Sequence, residues 1–542
     1  MQKKSSDLFL KITCSLVLLW AISANLIFSR FDVDVYHDGF IYPAALSVSN
    51  GGMPNKDFFS FYGPLSSLAQ GYWLKLTDRN LLSLRLHGVI LICFIAIVLY
   101  CVSSKVLGKN LSFILVAIWM LGHPLIVNPT LPWPDLYVTL LQLISLAYLS
   151  YKKSNINQKN FLIVGIILGC AVFFKINFLV PLVVILIMSL MFIKRFYAMW
   201  MVGGVVISWI TGISLMLMFG TWEGYWNETI LYNTNRYEGR FSIRGVFNAK
   251  IVFFGFLSFV ALFIIKWICP RHFIKRKWIW TATFLNSVLL IFVVLEFRRL
   301  NEPFFSFSKN FTDNVLNVLK NAPYWLLFAV IFFAFISGVL LFRKRTQNNL
   351  EVVDIFACIL GFSTVFFLYP NPEPVHIWYV MPTAILGLFN LKPIWFNNDD
   401  YVATKMTLLI PTLIALIVIN FEFIGASRYH HTVQPLKGMA SDVEIARSID
   451  EIMIRIVDLV GEQEIQNDCM LGLFSVAGNK YRASDRQYVD LVPKFKSKKE
   501  PAAWVFECNL SNEAFSSLKE RRKIEYVNDG FFPYSKMVVY RN

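Results

Sequence analysis

Between Phe31 and Leu68 the chain reads FDVDVYHDGFIYPAALSVSNGGMPNKDFFSFYGPLSSL. Asp32, Asp34 and Asp38 fall within seven residues, with His37 among them, and Asp57 follows ahead of a Tyr62-Gly63-Pro64 turn. Carboxylates at such a place could do two kinds of chemistry. One could take the proton of a hydroxyl as a general base. Another could hold a divalent cation against a phosphate, offsetting the charge that develops on a leaving group. Solubility is the plainer reading of acids in a loop. This loop, however, is rich in Phe, Tyr and Leu, as expected of a segment lying on a bilayer surface with its few carboxylates in a recess.

Other polar residues interrupt apolar runs. Lys175 and Asn177 divide the run from Phe161 to Ile193; the lysine reads either as an interfacial side chain reaching for water or as a phosphate ligand. His376, in the stretch YPNPEPVHIWYVMP from Tyr369 to Pro382, could satisfy a local hydrogen bond or meet a lipid phosphate and its departing oxygen. Arg236, Arg240, Arg244, Arg298 and Arg299 lie in later polar loops and can pair with phosphate, though arginines in loops are an unspecific signal. His123-Pro124 and Trp133-Pro134-Asp135 flank a turn and read as structural. The eight cysteines form no metal pattern; Cys469 and Cys508 fall in the polar tail, where an outside location would allow a disulfide.

The elements that must position these groups are membrane spans. Of 542 residues, 56% are hydrophobic and only 16% charged, against about 25% charged in soluble domains. Apolar runs near 8–28, 83–104, 111–128, 135–150, 160–174, 177–193, 198–219, 248–267, 279–295, 322–342, 353–369, 377–391 and 406–424 give about thirteen helices. The net charge of +16 does not imply nucleic acid, because basic residues gather in short loops: Lys105 and Lys109; Lys152, Lys153 and Lys159; Lys194 and Arg195; Lys266 to Lys277. Such loops stay in the cytoplasm. The N-terminus is then inside, and the acidic first loop, 29–80, is outside. The tail, 425–542, mixes a helical stretch at Ser441–Val460 with strand-like runs at Leu471–Val476, Ala502–Cys508 and Lys536–Tyr540. The fold expected is an all-α polytopic membrane domain over 1–424 with a small extracytoplasmic α+β domain over 425–542.

With YHDG at Tyr36–Gly39, KDFFSFYGP at Lys56–Pro64, Lys175 and Asn177 after a Gly-containing apolar helix, and PEPVHIW before a late span, the chain resembles the GT-C class of membrane glycosyltransferases. The likeness is to bacterial members related to protein mannosyltransferases and lipid A sugar transferases. It implies a polyprenyl-phosphate-linked sugar donor, an acidic catalytic site in the first outer loop, and a place in the bacterial inner membrane. Carried over, the first acidic motif falls on Asp38, with Asp34 next, and the second on Asp57. Lys175, His376, Arg298 and Arg240 become ligands of the donor phosphate. A Mg2+ or Mn2+ ion would sit on Asp38 and Asp57. The chain departs from better-known relatives in having HDG where they have two adjacent acids and YGP where they have HPP, which leaves the identity of the base open.

The expected function is transfer of a hexosyl or pentosyl group from a polyprenyl-phosphate donor to a lipid-linked glycan or other cell-envelope acceptor at the outer face. A flippase for lipid-linked saccharide is the rival, but it should carry its key charges mid-span in broken helices. A polymerase or ligase of oligosaccharides is a third reading and should depend on the later arginine loops.

Overall fold

A computed structural model of the chain describes residues 2–34, 37–127, 130–231, 351–367, 374–389 and 428–461, residue 417, and short stretches of the tail between 463 and 541. The architecture is an all-α, multi-spanning membrane body with a small C-terminal region containing β-structure. Helices run as α1 (Gln2–Phe28), α2 (His37–Ser49), α3 (Pro64–Leu76), α4 (Leu81–Leu107), α5 (Lys109–Ile126), α6 (Pro134–Tyr151), α7 (Gln158–Ala171), α8 (Leu179–Phe192), α9 (Arg195–Phe219), the single turn α10 (Trp222–Gly224) continued by a π-helix (Tyr225–Leu231), α11 (Val352–Phe367) and α12 (Pro374–Phe389).

The expected spans from 8–28 to 198–219, with 353–369 and 377–391, fall on helices. Those at 248–267, 279–295, 322–342 and 406–424 lie outside the described residues. The expectation of thirteen full spans needs correction. Among the described residues, Leu81–Lys105 and Arg195–Phe219 are long and apolar enough to cross a membrane, accompanied by shorter apolar helices such as Gln158–Ala171. At 14 residues, α7 falls short of the roughly 20 that a perpendicular crossing needs.

Side-chain size decides how these helices meet. A Cβ at Gly165 would fall 2.0 Å from the Met201 carbonyl oxygen, and one at Gly204 2.1 Å from that of Leu162. Only glycine lets α7 and α9 approach this closely, as is common between helices that lack a hydrophobic drive to associate. Away from this contact α9 leaves Ile207, Ile210, Leu217 and Met218 exposed, an apolar surface that suits lipid and not water. In α5, Pro124 has no N–H for the carbonyl four residues back. The Asn25 side chain of α1 donates to that Met120 carbonyl at 2.9 Å, so the two helices are joined where the ladder is broken.

The first outer loop folds into two short helices where the sequence suggested a loop. Pro64 fits the first turn of α3, whereas α2 contains Gly39 and Pro43 and is held by burial of Ile41, Tyr42, Ala45 and Leu46. The turn before α3 seats on the chain between α7 and α8: Leu65 N–H donates to the Phe173 carbonyl at 3.1 Å. A Cβ at Gly63 would lie 1.9 Å from that oxygen, so the Tyr-Gly-Pro turn brings the loop onto the stretch that carries Lys175.

In the tail, strands β1 (Tyr429–His430) and β2 (Ala440–Ser441) pair antiparallel and precede α13 (Val443–Val460). Asp442 caps α13, and Ala446, Ile449, Met453, Ile456 and Val460 form its buried stripe. A mixed sheet follows, in the order β4-β3-β5-β7-β6, from β3 (Glu464–Asn467), β4 (Lys480–Arg482), β5 (Trp504–Cys508), β6 (Ile524–Asp529) and β7 (Lys536–Arg541). The runs expected at 502–508 and 536–540 fall on β5 and β7; the run at 471–476 and Cys469 lie outside the described residues. The hairpin is stitched to the loop after α1, with Asp32 N–H donating to Ala440 O at 2.8 Å and Ala440 N–H to Arg30 O at 2.7 Å.

Candidate active site

Asp38, the residue best matched to a base by resemblance, is fully buried at the start of α2. Its carboxylate forms an ion pair with Arg85 of α4, itself fully buried, through Nε at 3.2 Å and through Nη2. Its Oδ2 also accepts the Asp34 N–H at 2.8 Å. Arg85 donates further to the carbonyls of Phe31 at 2.7 Å and Asp32 at 2.8 Å. Burial pushes the Asp38 carboxyl above the ordinary carboxylate range, with the charge and hydrogen bonds of Arg85 opposing. Oxygens engaged in this way brace residues 29–38 and are not turned to a substrate. The sequence reading passed over Arg85; its signal was a lone charge in the first turns of a long apolar helix.

Asp34 stands differently. Its Oδ2 lies 2.5 Å from His37 Nδ1, its Oδ1 accepts the His37 N–H at 3.2 Å, and the two side chains are 32% and 30% exposed. An accessible carboxylate with an imidazole in contact is suited to accept a proton.

His37 stands edge-on to Trp133, with ring centroids 5.3 Å apart, and Trp133 stands edge-on to His376 at 6.4 Å. Beyond Trp133 lies a buried cluster of charge. Lys175 Nζ donates to both oxygens of Asp135 at 2.7 and 2.9 Å, His376 Nδ1 lies 3.2 Å from Asp135 Oδ2, and the amine and imidazole are 3.4 Å apart. Three elements bring these groups together. Asp135 is in the first turn of α6, where the helix terminus favours a carboxylate. Lys175 extends from the non-helical stretch between α7 and α8. His376 is near the start of α12. Asp135 therefore belongs to the site, although its sequence context read as structural. Just beyond it, Tyr379 on the next turn of α12 packs 5.6 Å from His123 of α5; the hydroxyl and both ring nitrogens lack hydrogen-bond partners among the described residues.

Asp57 is half-buried in a turn, its Oδ2 accepting the Met53 N–H at 2.9 Å. The same loop meets a carboxylate that sequence reasoning missed. Glu228, buried in the π-helix, accepts from Asn55 Nδ2 at 2.8 Å and from the Ser60 N–H at 2.9 Å. It ties residues 55–60 to the segment after α9. Among the described residues no three His, Cys, Asp or Glu side chains are placed to hold a metal ion. Asp38 does not fit as a cation ligand, because a guanidinium already occupies its carboxylate. Arg240 and Arg298, with Arg236, Arg244 and Arg299, lie outside the described residues.

No family model matches the sequence, and no curated protein does. The fold is similar to that of the solved structure of ArnT from Cupriavidus metallidurans in the apo state, at 13% identity and a TM-score of 0.45, covering 100% of this chain and 98% of that one. The same protein bound to undecaprenyl phosphate gives 13% and 0.45, with 98% and 97% covered. The Archaeoglobus fulgidus oligosaccharyltransferase in complex with Zn and sulfate gives 12% and 0.40, with 90% of this chain and 58% of that chain covered. Likenesses of this order transfer neither a reaction nor a residue to this chain.

Proposed function

We propose that the chain is a membrane glycosyltransferase of the GT-C kind, moving a hexosyl or pentosyl group from a polyprenyl-phosphate donor to a hydroxyl of a lipid-linked or cell-envelope acceptor. The observation that carries this reading is the juxtaposition of two sites across Trp133: a partly exposed Asp34–His37 pair, and a buried cluster holding Lys175 and His376. In the reaction, Asp34 takes the proton of the acceptor hydroxyl while His37 steadies it. The acceptor oxygen bonds to the anomeric carbon as the bond from that carbon to the phosphate oxygen breaks, and the electron pair leaves with the phosphate. Lys175 and His376 offset the charge that gathers there. Asp135 holds Lys175 in place before the phosphate arrives. A membrane setting suits such a cluster, since buried charges in spans are costly and commonly functional.

The orientation proposed keeps the basic loops in the cytoplasm and places this end of the bundle and the C-terminal region outside the bacterial plasma membrane. Against a flippase, Asp135 and His376 sit in the first turns of their helices and not mid-span.

The test is binding of bare polyprenyl phosphate to purified protein in nanodiscs. Lys175→Met should weaken binding by about 10-fold or more, as expected when a charge-assisted contact of roughly 1.5–3 kcal/mol is lost. Asp34→Asn should leave binding unchanged. Equal affinity of wild type and Lys175→Met would remove the phosphate site from the proposal.

A further inference from the structure

The C-terminal hairpin and α13 contain a linear chain of hydrogen bonds that ends on the backbone beside Asp34. Val33 N–H donates to Ser441 Oγ at 3.0 Å. Ser441 Oγ lies 3.0 Å from His431 Nε2, and His431 Nδ1 lies 2.6 Å from Asp450 Oδ1. The other oxygen of Asp450 accepts from Thr432 N–H at 2.7 Å and from its hydroxyl at 2.8 Å. Ser441, His431 and Asp450 are buried. The order of groups is that of a nucleophilic triad, but Ser441 is 1% exposed and its oxygen already receives a backbone proton. A hydroxyl so enclosed has no acyl group to attack. Its evident target is Val33.

We infer that Ser441, His431 and Asp450 are positioning residues for the transfer reaction, fixing Asp34 through the Val33 amide; this rests on the function proposed above. Residues 30–34 are gripped from two sides. Arg85 takes the carbonyls of Phe31 and Asp32 from the membrane body. The tail takes the amides of Asp32 and Val33, while Arg428 pairs with Asp32 at 2.9 Å and lies over the Phe31 ring at 3.8 Å. Asp34 is the next residue, held at its own N–H by Asp38. The tail thus sets the backbone from which the proton-accepting carboxylate projects.

The chain runs in one direction. With the imidazole neutral and its proton on Nδ1, Val33 N–H donates to Ser441, the Ser441 hydroxyl donates to His431 Nε2, and His431 Nδ1–H donates to Asp450. This requires neutral histidine. If His431 gains a proton, Nε2 becomes a donor and the buried Ser441 hydroxyl loses its acceptor. The charged and titratable groups that face the imidazole are Asp450 on α13, Arg85 on α4 and His430 on β1, and burial holds His431 below the ordinary imidazole value.

The experiment compares wild type, Ser441→Ala and Ser441→Thr in full-length protein, reading kcat, KM for the lipid-linked donor and hydrogen exchange at the Val33 amide. Ser441→Ala should lower kcat about 10-fold with KM within twofold, because the phosphate cluster is untouched. Ser441→Thr, which keeps the hydroxyl, should recover most of the rate. A kcat within twofold of wild type in Ser441→Ala, or a Ser441→Thr no better than alanine, overturns the inference. If wild type releases no sugar from any donor, the proposed function fails separately. Exchange at Val33 then decides the inference: unchanged exchange in Ser441→Ala overturns it, and faster exchange supports the grip on this segment.

Discussion

Replacing Asp38 by asparagine separates a brace from a base. The fully buried Asp38–Arg85 pair is surrounded by the carbonyls and amides of residues 29–34. Neutralising Asp38 leaves a guanidinium in the interior with its counter-charge gone, which costs roughly 3–5 kcal/mol when one partner of a buried pair is removed. Replacing both partners by neutral groups should cost less than the sum of the single changes, by about 2 kcal/mol or more of coupling. The assay is thermal unfolding in detergent, followed by tryptophan fluorescence, for Asp38→Asn, Arg85→Met and the double variant. Asp38→Asn and Arg85→Met should each lower the midpoint by several degrees, and the double variant should lower it by less than the two single shifts added together. An Asp38→Asn protein with wild-type stability and no activity would refute the reasoning and return Asp38 to the role of base.

Three further outcomes follow from the same geometry. Glu228→Ala should destabilise by about 1–3 kcal/mol, since the buried Asn55 amide and Ser60 N–H lose their acceptor, while Glu228→Gln should cost less; equal midpoints for both in thermal unfolding would contradict this. Burial lowers the His431 imidazole below its ordinary value in the folded protein, so the unfolded chain takes up that proton more readily. Its contribution to tail docking is thus complete above the ordinary value of about 6.5 and declines as pH falls below it; limited proteolysis of the tail between pH 7.5 and 5 should show the change, and His431→Gln should lose that dependence. Turnover should survive EDTA, because Lys175 and His376 supply positive charge at the phosphate, and loss reversed by Mg2+ or Mn2+ would assign a cation to the site.

Much of this scaffold was legible from apolar runs, because a helix in lipid must be long and uniformly apolar, and α4 and α9 meet both conditions. Lys175 and His376 stood out for the same reason, as polar groups where lipid or protein interior was expected. The helices α2 and α3 were not legible. Gly39 and Pro43 argue against a helix locally, and the burial of Ile41, Tyr42, Ala45 and Leu46 overrides them. The resemblance ranked Asp38 ahead of Asp34, and the contacts in the fold favour the reverse order. Asp34 and Asp38 are four residues apart in the same motif, and what distinguishes them is Arg85, 47 residues on from Asp38. Asp135 was hidden in the same way: its Trp-Pro-Asp context describes a helix start, and only the fold brings Lys175 and His376 to it.

The most direct test of the central claim uses proteoliposomes loaded with a panel of polyprenyl-phosphate sugars and a membrane extract as acceptor, comparing wild type with Asp34→Asn. Wild type should transfer sugar, and Asp34→Asn should lose about 100-fold or more in kcat, the range of a removed general base, with stability and binding of bare polyprenyl phosphate retained. Undiminished transfer by Asp34→Asn, or a wild type that only moves lipid-linked sugar between leaflets, would contradict it.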